Sequence, residues 1–188
     1  NPLVGRDVSV GILFGLLLTC LGFVRHAAPA WLLSAAPIPS VGTQFAGSLP
    51  AFVGQILVRC SGNIMNSIGS IAILFLGWKL TRNRIVSASI LAAFWSVVSL
   101  TGTNHIVDIP VALSLGILLT LCLVRAGYFP LIVALVVYGV ANAFPLTLDF
   151  DRWYAGRSAF MLLLLLGLAA YGFRVSLGSR SLFSSADD

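Results

Sequence analysis

Asn142 to Gly156 reads N-A-F-P-L-T-L-D-F-D-R-W-Y-A-G, and this stretch decides which solvent the rest of the chain must meet. It sets a proline, two aspartates, an arginine, a tryptophan and a tyrosine between two long apolar runs. Tyr128–Ala141 precedes it; Ala159–Phe173, with Met161 followed by five leucines, comes after. Charges flanked by Trp153 and Tyr154 are what a chain carries where it leaves lipid, turns in the headgroup layer and re-enters. The stretch therefore predicts a turn between two membrane helices.

Composition agrees. Hydrophobic residues make up 59% of the 188 and charged residues 9%, with a mean hydropathy of +1.01. Soluble domains carry about a quarter charged residues, so this chain cannot build a water-facing surface. Glutamate is absent, and the six acids are Asp7, Asp108, Asp149, Asp151, Asp187 and Asp188. The net charge of +5 comes from basic residues scattered singly between apolar runs. That pattern orients helices against a bilayer and predicts no nucleic-acid partner. Cys20, Cys60 and Cys122 all lie in apolar runs, an odd and dispersed set with neither a disulfide framework nor metal spacing. The chain opens at Asn1 without Met, and is read as a piece of something longer.

A membrane span needs about 20 apolar residues, with a floor of roughly 17. Outward from the opening stretch, the charges delimit six candidates: 8–24, 49–78, 85–101, 109–124, 128–144 and 154–175. The predicted fold is an all-α, polytopic bundle forming one transmembrane domain over 1–188. Gly11 and Gly15 stand in G-x-x-x-G spacing, which lets two helix backbones approach closely, either inside the bundle or across a homodimer. His26–Gly47 contains Pro29, Pro37 and Pro39 and is expected to lie as a loop at the outer interface. Ser48-Leu49-Pro50 is a helix start, with serine as cap and proline in the first turn. Pro110 is likewise placed in the first turn of the fourth span.

Counting Lys and Arg on alternate sides fixes an orientation. One side holds seven: Arg6, Lys79, Arg82, Arg84, Arg125, Arg174 and Arg180. The other holds four: Arg25, Arg59, Arg152 and Arg157. The excess marks the cytoplasmic face, so both termini are expected inside.

Catalytic signals are missing. There is no G-x-x-x-x-G-K-S/T, no G-x-G-x-x-G, no H-R-D and no D-F-G. His26 and His105 are expected in outer loops without a partner at i±4. His105 beside Asp108 reads as a solvated pair rather than a metal or proton site. Serines are many, but no buried base stands across from one. No catalytic, cofactor or metal residue is assigned. What remains is an outer-leaflet polar cluster: Arg59, Asn63, Asn66, Asp108, Asn142, Asp149, Asp151 and Arg152. Arg59, Asn63, Asn66 and Ser70 recur at intervals of four, three and four, hence on one helical face, which is expected to point into the bundle. The cluster is either a ligand-sensing pocket or a structural device in which Asp108 or Asp149 neutralises Arg59. Asp149, in the organising turn, is the preferred partner.

Three passages resemble the C-terminal membrane region of a group of acidobacterial serine/threonine protein kinases. They are Asn1-Pro-Leu-Val-Gly-Arg-Asp-Val8, Phe144-Pro-Leu-Thr-Leu-Asp-Phe-Asp-Arg-Trp-Tyr-Ala-Gly156, and Ala170-Tyr-Gly-Phe-Arg-Val-Ser-Leu-Gly-Ser-Arg-Ser-Leu-Phe183 with Asp187-Asp188. The resemblance spans essentially the whole chain. It implies a non-catalytic domain of the bacterial cytoplasmic membrane that anchors a cytoplasmic kinase and takes part in signal transduction. ATP and Mg would belong to that kinase domain, and the partners are the lipid bilayer and the attached kinase. Leu123-Val-Arg-Ala-Gly-Tyr128 is similar to a turn of the CAAX-processing intramembrane proteases, whose paired glutamates and helical histidines this chain lacks. A degenerate protease of that type is the alternative, and a small transporter, hinted at by the polar second helix, is a third.

Overall fold

A computed structural model describes residues 2–33, 49–100, 105–143, 151 and 155–177. Every described element is helical: α1 Pro2–Leu33, α2 Leu49–Thr81, α3 Arg84–Ser99, α4 His105–Leu121, α5 Tyr128–Ala143 and α6 Ala155–Leu177. Four of them, α1, α2, α6 and α4 with its continuation to Ala126, are long and apolar enough to cross a membrane. The other two, α3 and α5, have 16 residues each, about 24 Å at 1.5 Å per residue against about 30 Å of hydrocarbon.

Two boundaries correct the sequence reading. First, α1 does not stop near Val24 but continues through Pro29 to Leu33, so the first part of the expected interfacial loop is helix. A proline has no N–H for the carbonyl four residues back, yet one missing bond does not end a helix of 32 residues. Second, α4 begins at His105, which puts Pro110 inside the helix rather than in its first turn. His26 and His105 are thus both helical, and both exposed. The remainder of the expected loop, and most of the Asn142–Gly156 turn including Trp153 and Tyr154, lie outside the described residues.

Connections at one end are minimal. Arg82 and Asn83 alone join α2 to α3. Asn83 caps α3, its side-chain oxygen accepting from the backbone N–H of Ile85 at 2.9 Å. After α4, Cys122–Ala126 winds as a single π-helical turn, closed by Gly127 N–H donating to the Cys122 carbonyl at 3.1 Å. Gly127 then breaks the helix at φ +103°, a conformation that other residues rarely adopt.

Helix α1 packs most extensively on α5, and also on α6 and α4. Its ridge Gly11, Gly15, Leu18, Gly22 is buried at alternating steps of four and three. A Cβ on Gly11 would meet Val133 and the Pro130 carbonyl; one on Gly15 would meet Val137 and the Ala134 carbonyl; one on Gly22 would meet Asn142. The numbers rise together, so α1 and α5 run parallel. Gly5 lies against the backbone of Val175 and Ser176, and Gly172 against Val8, so α6 runs antiparallel to α1. The start of α1 and the end of α6 therefore share one end of the bundle.

Helices α2 and α3 are joined by hydroxyls. Ser87 donates to the Leu74 carbonyl at 2.5 Å, and the Trp95 indole N–H donates to Ser70 Oγ at 3.0 Å. Helices α3 and α4 meet where Gly116 faces the Ala92 carbonyl and Ser96. Leu91, Trp95, Leu115, Leu119 and Leu131 form part of the main apolar core between α3, α4 and α5.

Candidate functional site

The end of the bundle away from the start of α1 and the end of α6 holds an ion pair that the sequence reading did not assign. Arg25 Nε donates to Asp108 Oδ1 at 2.8 Å, with side-chain exposures of 14% and 6%. Arg25 stands three residues beyond Gly22 and so continues the buried ridge of α1. Asp108 shares its face of α4 with buried Ala112, Leu115 and Leu119, at spacings of four, seven and eleven. It also lies in the first turn of α4, where the positive end of the helix dipole favours a carboxylate. Each charge is delivered to the other by the helix that carries it.

Beside the pair lies α5, against which α2 packs. Tyr138 packs against the same core, within electrostatic reach of Arg25. Asn142 donates to the Tyr138 carbonyl at 2.9 Å, and its Oδ1 lies over Gly22. Across α5, the Asn63 side chain fills the space left by the missing side chain of Gly139. Arg25 Nη2 and Asn63 Nδ2 are buried without a hydrogen-bond partner among the described residues. Each is an NH2 group with two hydrogens to donate, to water or to a ligand oxygen.

The structure thus divides the predicted cluster. Asn63 and Asp108 are drawn into the bundle, whereas Arg59 and Asn66 are exposed. The expected inward stripe Arg59–Asn63–Asn66–Ser70 is corrected: the inward face of α2 runs through Asn63, Ser67, Ser70, Leu74 and Gly77, one residue round from Asn66. Of the two partners expected for Arg59, Asp108 is engaged by Arg25; Asp149 lies outside the described residues, as does Arg152. Asn142 and Asp151 are exposed. At the same end Arg157 stands 5.6 Å over the Phe52 ring, which packs edge-on to Phe160 at 6.1 Å. Among the described residues no three of His, Cys, Asp or Glu come together.

A signal for Arg25 was present in the sequence. Gly11, Gly15, Leu18, Gly22 and Arg25 follow the four–three rhythm of one helix face, which commits the arginine to the interior. No family model, no curated protein and no solved structure matches this chain.

Proposed function

We propose that this chain is a non-catalytic membrane domain that anchors a cytoplasmic serine/threonine protein kinase in a bacterial cytoplasmic membrane. The carrying observation is the contact of Gly5 with the Val175–Ser176 backbone, which gathers the start of α1 and the end of α6 at one end of the bundle, where a single soluble domain can hold them. The same end carries Arg6, Lys79, Arg82, Arg84, Arg125 and Arg174, the pattern of a cytoplasmic face. In this reading all six helices cross. The short α3 and α5 are accommodated by local thinning of the bilayer, at fractions of a kcal/mol per Å of mismatch. The Arg25–Asp108 pair pins α1 to α4 and makes the outer half rigid. The test is the open reading frame that contains Asn1. A kinase catalytic domain encoded in frame before Asn1 supports the proposal; any other in-frame domain there sinks it.

A further inference from the structure

At the basic end, the surface between α2, α3 and the π-helical turn is both grooved and charged. One groove of about 430 Å³ runs between Ile71, Leu74, Phe75 and Trp78 of α2 and Leu123 and Val124 of the π-helical turn, with Arg84 and Ser87 of α3 also lining it. A second of about 450 Å³ adjoins it, sharing Phe75 and Trp78 and ending on Lys79 and Arg82. Ile71, Phe75 and Trp78 are spaced i, i+4, i+7, so the apolar floor extends about 10 Å along α2 before it meets the charges.

Among the described residues these charges have no acidic partner. Lys79, Arg82 and Arg84 are all exposed, and the ion pairs among the described residues are Arg6–Asp7 and Arg25–Asp108. Between Asp7 and Asp108 the sequence contains no acid at all. Arg82 adds a second, independent sign. It holds φ +53°, a left-handed backbone that glycine or asparagine adopts more readily. A cation stands where local conformation favours a different residue, and strained positions cluster at ligand sites.

The geometry points to a seat for one anionic phospholipid. Its phosphate lies among Lys79, Arg82 and Arg84, Trp78 sits at headgroup level, and an acyl chain occupies the groove toward Ile71 and Val124. Basic pockets between transmembrane helices are suited to such headgroups, and the apolar floor selects a lipid over a free anion. The site requires the folded helices but not the attached kinase, so it stands or falls apart from the anchoring role.

The experiment uses the purified chain in nonionic detergent and follows its melting temperature as lipid is added, since a ligand of the folded state raises it. Dioleoyl phosphatidylglycerol is expected to raise it saturably; dioleoyl phosphatidylcholine and inorganic phosphate are not. Lys79→Gln and Arg84→Gln are each expected to weaken apparent binding about fivefold. Arg82→Gly removes a charge while relieving the backbone, so its loss of binding is not a loss of fold. Val124→Trp fills the groove and is expected to abolish the shift while leaving the lipid-free melting temperature in place. An equal response to phosphatidylcholine or to inorganic phosphate overturns the proposal. So does retention of full binding by Val124→Trp, which would reduce the site to a diffuse basic patch. A response that emerges only in Asp187→Asn/Asp188→Asn would assign the seat to the chain's own acidic tail, and overturns it as well.

Discussion

A charge left alone in the hydrocarbon costs at least about 2.5 kcal/mol on insertion scales. Arg25 and Asp108 avoid that by meeting at 2.8 Å. Buried pairs contribute little net stability, because desolvation offsets their attraction, but removing one partner leaves the other uncompensated, at about 3–5 kcal/mol. Arg25→Met and Asp108→Ala should therefore each lower the melting temperature in detergent strongly, and the double variant by clearly less than the sum. Strict additivity would show that the two charges do not interact. Gly127 makes a different kind of residue-scale prediction. Nothing lies within 4 Å of a Cβ built there, yet its φ is +103°. Gly127→Ala should cost about 1–3 kcal/mol through backbone strain alone, measurable as a lower midpoint in chemical denaturation. Individual partners were the least legible part of the sequence. Asp108 was readable as a charge in need of a partner, but whether Arg59 or Arg25 supplies it depends on how α1 turns against α4.

Elements were more legible, because apolar length and flanking charge mark a helix without reference to its neighbours. The all-helical class and the presence of membrane helices follow from that alone. What failed was rotation about the axis. Asn66 was assigned to the inward face of α2, yet Ser67 is the residue buried there, and serine hydroxyls satisfy themselves locally. Ser67 donates to the Ile64 carbonyl at 2.6 Å and Ser70 to that of Asn66 at 2.8 Å, so polarity along α2 does not report burial. Proline is no surer a boundary, since Pro29 and Pro110 are both carried within helices. Glycine separates the two kinds of helix face. A Cβ at Gly15 would stand 2.6 Å from Val137 Cβ and 2.9 Å from the Ala134 carbonyl oxygen, whereas one at Gly62 meets nothing within 4 Å. Gly15→Ala is expected to destabilise by about 1–3 kcal/mol through overpacking. Gly62→Ala should be neutral or stabilising by up to about 1 kcal/mol, from helix propensity. One substitution with two opposite signs, read from paired thermal melts, tests the α1–α5 interface directly. Equal effects at both positions would mean that α5 does not lie on Gly15.

At the scale of the molecule, the bundle is asymmetric in charge and in packing. Helix α6 rests mainly on α1, with only 11% of its apolar window buried. Leu163, Leu166 and Phe173 are left exposed, a face suited to lipid. Near the chain ends the basic residues meet a single described acid, Asp7, already paired with Arg6. At the other end, Arg25 is neutralised by Asp108. Translocation responds to the Lys and Arg of short loops, with acids counting little, so the two-residue α2–α3 connection with Lys79, Arg82 and Arg84 beside it should dominate. Both termini are then expected to be cytoplasmic. In a background without Cys20, Cys60 and Cys122, single cysteines at Ser184 and Thr103 report the orientation in intact cells. An impermeant maleimide should label position 103 and spare 184 until the membrane is opened. Neutralising Lys79, Arg82 and Arg84 together removes three of the seven cations assigned to that face, leaving four against four. Position 184 should then become partly labelled from outside, as mixed orientations arise. If the triple substitution leaves labelling unchanged, orientation is set elsewhere in the chain, and the cluster is free to serve the lipid alone.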